Sequence, residues 1–431
     1  MESSDFKYLK DPIYGSIKLE SLVLKFIDTR QFQRLRYLKQ LGSICFIYPG
    51  GNHTRFEHSI GVSHLAKTLI TILREKQPEL AISDRDVRCI TLAGLCHDLG
   101  HGPFSHLFDS AFISTIFPEK NWCHENGSEM MLEYLIKKNN IALPREDIDF
   151  IKDLILGEPI YTKQKEKKFM FQIVANKQNG IDVDRFDYIA RDSYYTGLKS
   201  TYDYDQICFD HKELFDIYEL LHSRYSLNKR IYLHKTAKAI DLMLCDALVL
   251  SDKYLKISDS INDPEKYTYL TDDIMHDIER SDCDELKSSK ELVQRIHCRD
   301  LYKLVDAVTM KFSQLEAIGK EWISSKIIVD QCKAEEDPEK QEIKDFNDDK
   351  IRINWSIINF GMGAVNPLTK VKFYKKPNTN TSYNIDTDKE IVCLPPEYQE
   401  VLLRVYVTEE KYKTLAHNAL KQVYTKVGLN I

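Results

Sequence analysis

Apolar residues recur at spacings of three, four and seven through most of the first 300 residues, and that periodicity admits few architectures. It predicts helices over about 127–138, 145–156, 183–195, 212–225, 230–250, 265–280 and 288–306. A further helix is expected over Ser21–Leu41, behind a short extended segment. No βαβ rhythm interrupts the pattern, and neither a glycine-rich phosphate loop nor an internal repeat is present. Chain breakers are scarce: 16 Gly and 13 Pro in 431 residues lie below the roughly 7% and 5% of average usage.

Two helices carry explicit boundary signals. Thr54-Arg55-Phe56-Glu57 fits a capping box, with Thr54 at the N-cap and Glu57 three residues on. The helix it opens carries His58, Val62, Leu65, Leu69 and Ile72 on one stripe, which puts His58 on the core-facing side. A second helix through Val87–Leu99 stops at Gly100-His101-Gly102-Pro103.

The pattern changes near residue 330. Residues 333–350 hold eight acids and four bases and read as a solvated loop. Strand-like pieces follow at Ile351–Ile358, Lys370–Tyr374, Glu390–Leu394 and Val401–Val407, and a last helix fits about 409–427. The expected architecture is a mainly α body, residues 1–306, followed by a smaller α+β lobe, residues 307–431.

Composition excludes several classes. Apolar content of 43% with 29% charged residues is that of a globular chain. No apolar run approaches the roughly 20 residues of a membrane span. The polar, acidic N-terminus Met1-Glu2-Ser3-Ser4-Asp5 is no secretory signal. Ten scattered cysteines without a CxxC pair read as free thiols in a reducing compartment, cytoplasm or nucleus. A net charge of −6 disfavours a globally basic nucleic-acid binder but leaves room for local basic pockets.

Seven of the 13 histidines fall within residues 53–124, and the chemistry is expected there. The centre is Leu95-Cys96-His97-Asp98-Leu99-Gly100-His101-Gly102. Neighbouring His and Asp side chains point about 100° apart on a helix, so both reach one ion only at the helix edge. Imidazole with carboxylate suits Mn, Fe, Zn or a similar divalent metal. An isolated His-Asp pair is common by chance, but here His58 precedes it and an Asp-rich helix, Asn179–Tyr188, follows. On that helix Asp184, Tyr188 and Asp192 share one face at i, i+4 and i+8. Asp182 and Asp187 lie on other faces, where capping or surface pairing is expected.

The order H…HD…D is that of the HD metal-hydrolase superfamily. Asp11-Pro12-Ile13-Tyr14-Gly15, Asp28–Arg36, Arg55-Phe56-Glu57-His58-Ser59, Cys96–His106, Asn179–Tyr188, Arg224 and Arg230–Lys235 also occur in sequence, as does Asn366-Pro367…Phe373-Tyr374. With these motifs the chain resembles the HD-domain deoxynucleoside triphosphate triphosphohydrolases, specifically the eukaryotic kind that carries a sterile-alpha-motif domain. That resemblance implies one metal on His58, His97, Asp98 and Asp184, either Fe, Mn or Zn, with Mg on the nucleotide phosphates. It implies hydrolysis of a dNTP to deoxynucleoside and inorganic triphosphate. His124 and Glu125 match the acid/base pair, and His101 and His106 match phosphate-side positions. Arg55, Arg185 and Arg224 match triphosphate-binding positions, although Lys is common in relatives where Arg185 stands. Tyr188 and Asp192 match sugar and phosphate contacts. Gln40, Leu41 and Tyr232 match the positions that hold the 3′-hydroxyl and exclude a 2′-hydroxyl.

A regulatory layer is implied in the same way. Lys7, Asp28, Gln33 and Arg36 match the positions that bind GTP or dGTP as activator at a homo-oligomer interface, in a dimer or tetramer. His234, Lys235, Arg299, Lys303 and Lys375 match a second, dNTP-occupied site. This chain departs from the resemblance in several places. The matching region begins almost at Met1, with no sterile-alpha-motif domain before it. A hairpin expected after Asp203-Tyr204-Asp205 is shortened or absent, Asn228 replaces a His, and Lys10 replaces an Asn. Retained GTP activation with weakened dNTP dependence is the expectation. Two other readings stay open. One is HD chemistry on other nucleotides, for which three cationic positions would be superfluous. The other is a nucleotide sensor or weak single-stranded nucleic-acid binder using Lys229–Tyr232 and Lys370–Lys376.

Overall fold

The computed structural model describes residues 6–163, 167–198, 210–335, 341–376, 378–391 and 393–429. The segment after Asp205 falls outside the described residues, so the expected hairpin shortening does too. A mainly helical body carries a smaller α+β region at its C-terminal end. No helix among the described residues is long and apolar enough to cross a membrane.

The chain opens with a β-hairpin, Phe6–Asp11 paired antiparallel with Gly15–Glu20. Asp11 closes it: its Oδ1 accepts from the backbone N–H groups of Ile13 (2.8 Å) and Tyr14 (3.0 Å). The single helix expected over Ser21–Leu41 is broken. Ser21–Ile27 ends at Asp28, Thr29 caps a new turn by accepting from Phe32 N–H, and Arg34–Tyr37 winds as a tight 3-10 turn. A Thr that offers its hydroxyl to the backbone restarts a helix where periodicity alone would continue it.

At the centre lies the helix Arg55–Lys76, with Val62, Leu65, Ala66 and Ile70 buried. Asp84–Cys96 and Val183–Thr196 pack against it. Each such Leu, Val or Ile buried contributes about 1.5–3 kcal/mol of transfer free energy. Thr54 occupies the N-cap, but the predicted capping box does not form, because its hydroxyl donates to the Glu57 carboxylate and caps no backbone N–H. A complete box closes the next helix instead, between Ser83 and Asp86.

Two other predicted helices also differ. Residues 265–280 split into Pro264–Tyr267 and Ile274–Arg280, with Asp272 in the break. The helix expected over 288–306 covers Lys287–His297; the chain then reverses at Arg299, φ 61°, into the strand Lys303–Lys311, which spans position 306.

The C-terminal sheet is antiparallel, in the order Lys303–Lys311, Gln399–Val407, Ile351–Asn359. Val401, Leu403, Val405 and Val407 of the central strand point into a second hydrophobic cluster, shared with the helices Ser325–Glu335 and Lys413–Lys426. Tyr406, on the opposite face, belongs to the core of the body and donates to the Lys235 carbonyl (2.8 Å). The charged segment 333–350 is not a plain loop. It contains the end of one helix, the turn Gln341–Asp345 and the 3-10 turn Asp348–Lys350. Ile343 and Phe346 anchor it in the second core, an apolar pair that the charge count averages away. Of the expected strand Glu390–Leu394, Glu390 ends the helical turn Thr387–Glu390, and residues 391, 393 and 394 are not in a strand. Of the expected strand 370–374, Lys370 closes the 3-10 turn Pro367–Lys370, and the strand itself is Phe373–Lys375.

Candidate active site

The helix Asp84–Cys96 ends at His97, and the chain folds back tightly through His101. Only glycine fits the bend at 100: a Cβ there would lie 2.1 Å from the His124 carbonyl oxygen and the Ser128 nitrogen. That close approach seats the start of the helix His124–Lys138 on the turn. Ser128 Oγ accepts from Gly100 N–H (2.9 Å) and donates to the His97 carbonyl (2.5 Å). Fully buried Arg34 donates to the carbonyls of Leu99 (3.3 Å) and His101 (2.7 Å). Beyond the turn, Phe104 and Ser105 both have left-handed backbones, φ 59° and 58°. Such a conformation costs about 1–3 kcal/mol per non-glycine residue and persists only where its surroundings impose it. Here Asp272 accepts from Phe104 N–H (2.7 Å), and Ser105 Oγ donates to the Lys39 carbonyl (2.7 Å).

Beside this bend the ligand atoms of His58, His97 and Asp184 converge, with the Asp98 carboxylate next to both rings. His58 Nε2 lies 3.0 Å from Asp184 Oδ1, 3.3 Å from His97 Nε2 and 3.5 Å from Asp98 Oδ2. His97 Nε2 is 3.3 Å from Asp98 Oδ1 and 3.5 Å from Asp184 Oδ1. Each ring is oriented from behind: His58 Nδ1 by Asp187 Oδ2 (2.6 Å) and His97 Nδ1 by the Gly94 carbonyl (2.8 Å). With Nδ1 donating, each Nε2 aims at the same point, which is how a histidine metal ligand is held. Burial alone would lower the His58 pKa, yet hydrogen bonds to Asp184 and Asp187 push it up to about 10. Burial likewise opposes ionisation of Asp98, but Arg55, His97 and His101 hold it well below the usual carboxylate range. A divalent cation supplies the positive charge these carboxylates attract, so the residues present fit a metal. Asp187 was expected at a cap or on the surface; it is instead fully buried, because its face of the helix is packed on Arg55–Lys76. Asp182 does cap its helix, accepting from Arg185 N–H (2.9 Å).

A second histidine group adjoins the first. His101 and His124 stack with ring centroids 3.9 Å apart, and His106 stands edge-on to both. His124 Nδ1 pairs with Asp109 Oδ2 at 2.8 Å, closer than Glu125 at 3.6 Å. Asp109 was not singled out by the sequence, where its only signal is a place three residues after His106. Burial would lower the His124 pKa, but the bond to Asp109 and the charge of Glu125 raise it. Burial, reinforced by the charges of Arg55 and His124, holds His101 well below the ordinary histidine value, so that ring is neutral.

Both groups open on a cavity of about 990 Å³. Gln40, Leu41, Arg55, His101, His106, His124, Asp184, Arg185, Tyr188, Asp192, Arg224 and Tyr232 all line it. Arg55 is spoken for: it donates to Asp98 Oδ2 (2.5 Å) and Ser105 Oγ (2.9 Å). Arg224 donates to the Asn359 carbonyl (2.6 Å), delivered by the C-terminal sheet. Arg185, by contrast, has Nε and Nη1 buried without a partner among the described residues, and Gln40 Oε1 is in the same state. Asp192 bridges His53 Nε2 (2.7 Å) and Tyr232 Oη (2.5 Å), which makes His53 a second residue the sequence did not flag.

The candidate regulatory residues lie elsewhere. Lys7 and Asp28 line a separate cavity of about 720 Å³ between the hairpin, the first helix and residues 139–142. Gln33 donates to the Ile27 carbonyl (2.8 Å) and accepts from Arg36 (2.7 Å), whose guanidinium lies over the Phe56 ring. The other five are dispersed. His234 caps its own helix, Lys235 follows it, Arg299 donates to the Phe46 carbonyl, Lys303 pairs with Asp300 (3.2 Å), and Lys375 stands over Tyr383.

This arrangement defines a class: residues 55–192 match the HD domain family, a span that contains His58, His97, Asp98 and Asp184. Relatives narrow it further. The chain is 40% identical to human deoxynucleoside triphosphate triphosphohydrolase SAMHD1 over 95% of its own length and 71% of that protein. Against the Dictyostelium discoideum SAMHD1 homolog, identity is 37% over 98% of this chain and 82% of the relative. A putative HD domain-containing protein of Acanthamoeba polyphaga mimivirus is 32% identical over 96% and 94%. The chain belongs to the SAMHD1 family of deoxynucleoside triphosphate triphosphohydrolases.

Proposed function

We propose that the protein hydrolyses dNTPs to deoxynucleoside and inorganic triphosphate in the 990 Å³ cavity. The observation that carries this reading is the convergence of the His58, His97 and Asp184 ligand atoms, and the His124–Asp109 pair, beside one cavity lined by Asp98, Asp184, His124 and three arginines.

His58, His97, Asp98 and Asp184 would hold one divalent metal of the Fe, Mn or Zn type, which when bound polarises an α-phosphate oxygen and acidifies a water. The chain's own residues do the rest. Arg185, with two buried N–H groups lacking protein acceptors, takes phosphate oxygens as a planar fork. Arg224 adds charge while the Asn359 carbonyl fixes its direction. Arg55 keeps Asp98 ionised and turned toward His58 and His97. His124, its Nδ1–H held by Asp109, gives the proton on Nε2 to the departing deoxynucleoside oxygen, and neutral His101 stacked on it preserves the ring's orientation. Glu125 adds negative charge beside that proton, and His106, exposed at the mouth, faces the phosphates.

Sugar selection rests on Gln40, Leu41 and Tyr232. Gln40 Oε1 accepts the 3′-hydroxyl, and Tyr232, locked by Asp192, leaves no acceptor for a 2′-hydroxyl. Tyr188 contacts sugar and phosphate from the same helix face as Asp184. GTP or dGTP is the proposed activator at Lys7, Asp28, Gln33 and Arg36, where the Asp28 carboxylate accepts the guanine N–H donors. His234, Lys235, Arg299, Lys303 and Lys375 would form the dNTP site only between copies in a dimer or tetramer. Residues 307–431 act as the regulatory and oligomerisation lobe, and residues 1–306 as the catalytic body.

The test is anion-exchange analysis of the products from each dNTP, with Mn or Mg, with and without GTP. Intact triphosphate is expected, at a rate that GTP raises. Stepwise orthophosphate or pyrophosphate would exclude the proposed reaction, and a rate indifferent to GTP would exclude the activator.

A further inference from the structure

Behind the metal-ligand atoms runs a fully buried chain of charged side chains that ends in the N-terminal hairpin. His58 Nδ1 donates to Asp187 Oδ2 (2.6 Å). Asp187 receives Arg191 on both oxygens, Nε to Oδ2 and Nη2 to Oδ1, each at 2.9 Å. Arg191 Nη1 then donates to Asp11 Oδ2, again at 2.9 Å. Asp187 and Arg191 are 0% exposed, and the chain links residues far apart in sequence. Asp11 is shared: its Oδ1 holds the hairpin turn through Ile13 and Tyr14, and its Oδ2 holds Arg191.

The packing around this chain is specific to it. Gly61, one turn after His58, faces the Asp187–Arg191 pair, and a Cβ there would lie 1.9 Å from Asp187 Oδ1 and 2.6 Å from Arg191 Nη2. The helix Arg55–Lys76 therefore gives up a side chain at this point to admit the pair. Removing one partner of a buried ion pair leaves the other charge uncompensated, so the pair stays closed once formed. The bidentate fork leaves Asp187 Oδ2 one orientation, and that orientation sets the His58 ring.

We propose that Asp187, Arg191 and Asp11 are positioning residues for metal binding: they fix the tautomer and plane of His58, and through Asp11 they make the closed hairpin turn a requirement for a tightly held metal. The inference rests on the metal site proposed above. It assigns no chemistry to the three residues, since they reach the metal only through His58. Outer carboxylates behind ligating histidines typically contribute about 10–100-fold in metal affinity or activity. The same hairpin carries Lys7, so a ligand that moves the hairpin would reach His58 along this route.

The experiment compares Mn(II) affinity, measured by EPR of the free ion, in the full-length wild type, Asp187→Asn, Asp11→Asn and His58→Ala. Asp11→Asn is the discriminating variant. Its amide oxygen keeps the hydrogen bonds of the hairpin turn, but its NH2 faces Arg191, and it touches neither His58 nor the cavity. Expected are losses of Mn(II) affinity of about 10-fold or more for Asp187→Asn and about 3-fold or more for Asp11→Asn, with kcat falling and KM for dNTP little changed. Melting of the metal-free proteins is recorded alongside. A purely structural role would lower that melting temperature and leave the Mn(II) affinity of the folded protein untouched, and this result in both variants overturns the proposal. Should Asp187→Asn not fold, Asp11→Asn decides alone. If wild type and His58→Ala bind Mn(II) alike, the metal site itself is wrong and the inference falls with it. That outcome is told apart because the reference pair fails rather than the Asp11 variant.

Discussion

Two clusters of metal-ligating residue types sit side by side in this protein and hold their rings differently. In His58, His97 and Asp184 the candidate ligand atoms all lie within 4.8 Å of one another, and so do those of His101, His106, Asp109 and His124. In the first, both imidazoles are held from behind through Nδ1, so that both Nε2 atoms converge. In the second, the carboxylate grips one ring, His124, while His106 is exposed and His101 Nδ1 is buried without a partner among the described residues. Convergent lone pairs suit a cation; a ring whose proton is pinned by one carboxylate suits proton transfer. Composition cannot tell the two apart, and the direction from which each ring is held can.

The sharpest way to break this comparison is to remove one ring from each cluster. His97→Ala should lose bound metal, read by elemental analysis after dialysis, and should lower turnover by about 10³-fold or more. His124→Ala should keep its metal and lose about 10²–10⁴-fold in kcat. If His124→Ala loses its metal as well, the two clusters are one binuclear site and the division of labour is wrong. Arg185→Ala should follow, with kcat/KM lower by about 10–100-fold, in line with about 1.5–3 kcal/mol for hydrogen bonds to a charged group. Arg185→Lys should restore only part of this, because a point charge cannot replace the fork.

Asp109 allows a finer test through pH. Its bond raises the His124 pKa, so the protonated ring, the form needed to protonate a leaving group, persists to higher pH. Asp109→Asn removes that support, and the alkaline limb of the kcat profile should move to lower pH. A limb that stays in place would assign the titration to another group.

How much of this was legible depends on whether a neighbour is set by the helix or by tertiary contact. His58, His97, Asp98 and Asp184 could be singled out because their order H…HD…D resembles that of the HD metal hydrolases; the apolar stripe by itself places only His58 on a core-facing side. Asp187 could not be placed, because its burial depends on which helix crosses behind it. Asp109 and His53 went unseen for the same reason: their partners, His124 and Asp192, lie 15 and 139 residues away. Boundaries failed where a hydroxyl and a carboxylate three residues apart had two partners to choose from. Thr54 and Glu57 have the composition of a capping box, yet they bond each other, whereas Ser83 and Asp86 both bond the backbone. The segment 333–350 failed through averaging, since Ile343 and Phe346 outweigh a dozen charged neighbours once they reach a core.

The smallest expected effect separates the clusters by stability rather than rate. Asp272 stands nearer the second: its two oxygens accept from Phe104 N–H, in the strained turn after His101, and from Lys39 N–H (2.9 Å), beside Gln40. Burial outweighs those bonds and raises its pKa to about 6, against about 3.9 in an unfolded chain. Between roughly pH 4 and 6 the folded protein therefore holds a proton that the unfolded chain has released. Raising the pH through that window costs stability, by about 2 kcal/mol at most. Asp272→Asn cannot titrate, so the fall in melting temperature of the metal-free protein from pH 4.5 to pH 7 should shrink by about 2 °C. The variant should retain its metal while losing a few-fold in kcat, because one amide cannot accept from both N–H groups and the Phe104–Ser105 turn relaxes. An unchanged melting profile would mean that Asp272 is ionised across the whole range, and metal loss would mean that the turn supports both clusters rather than one.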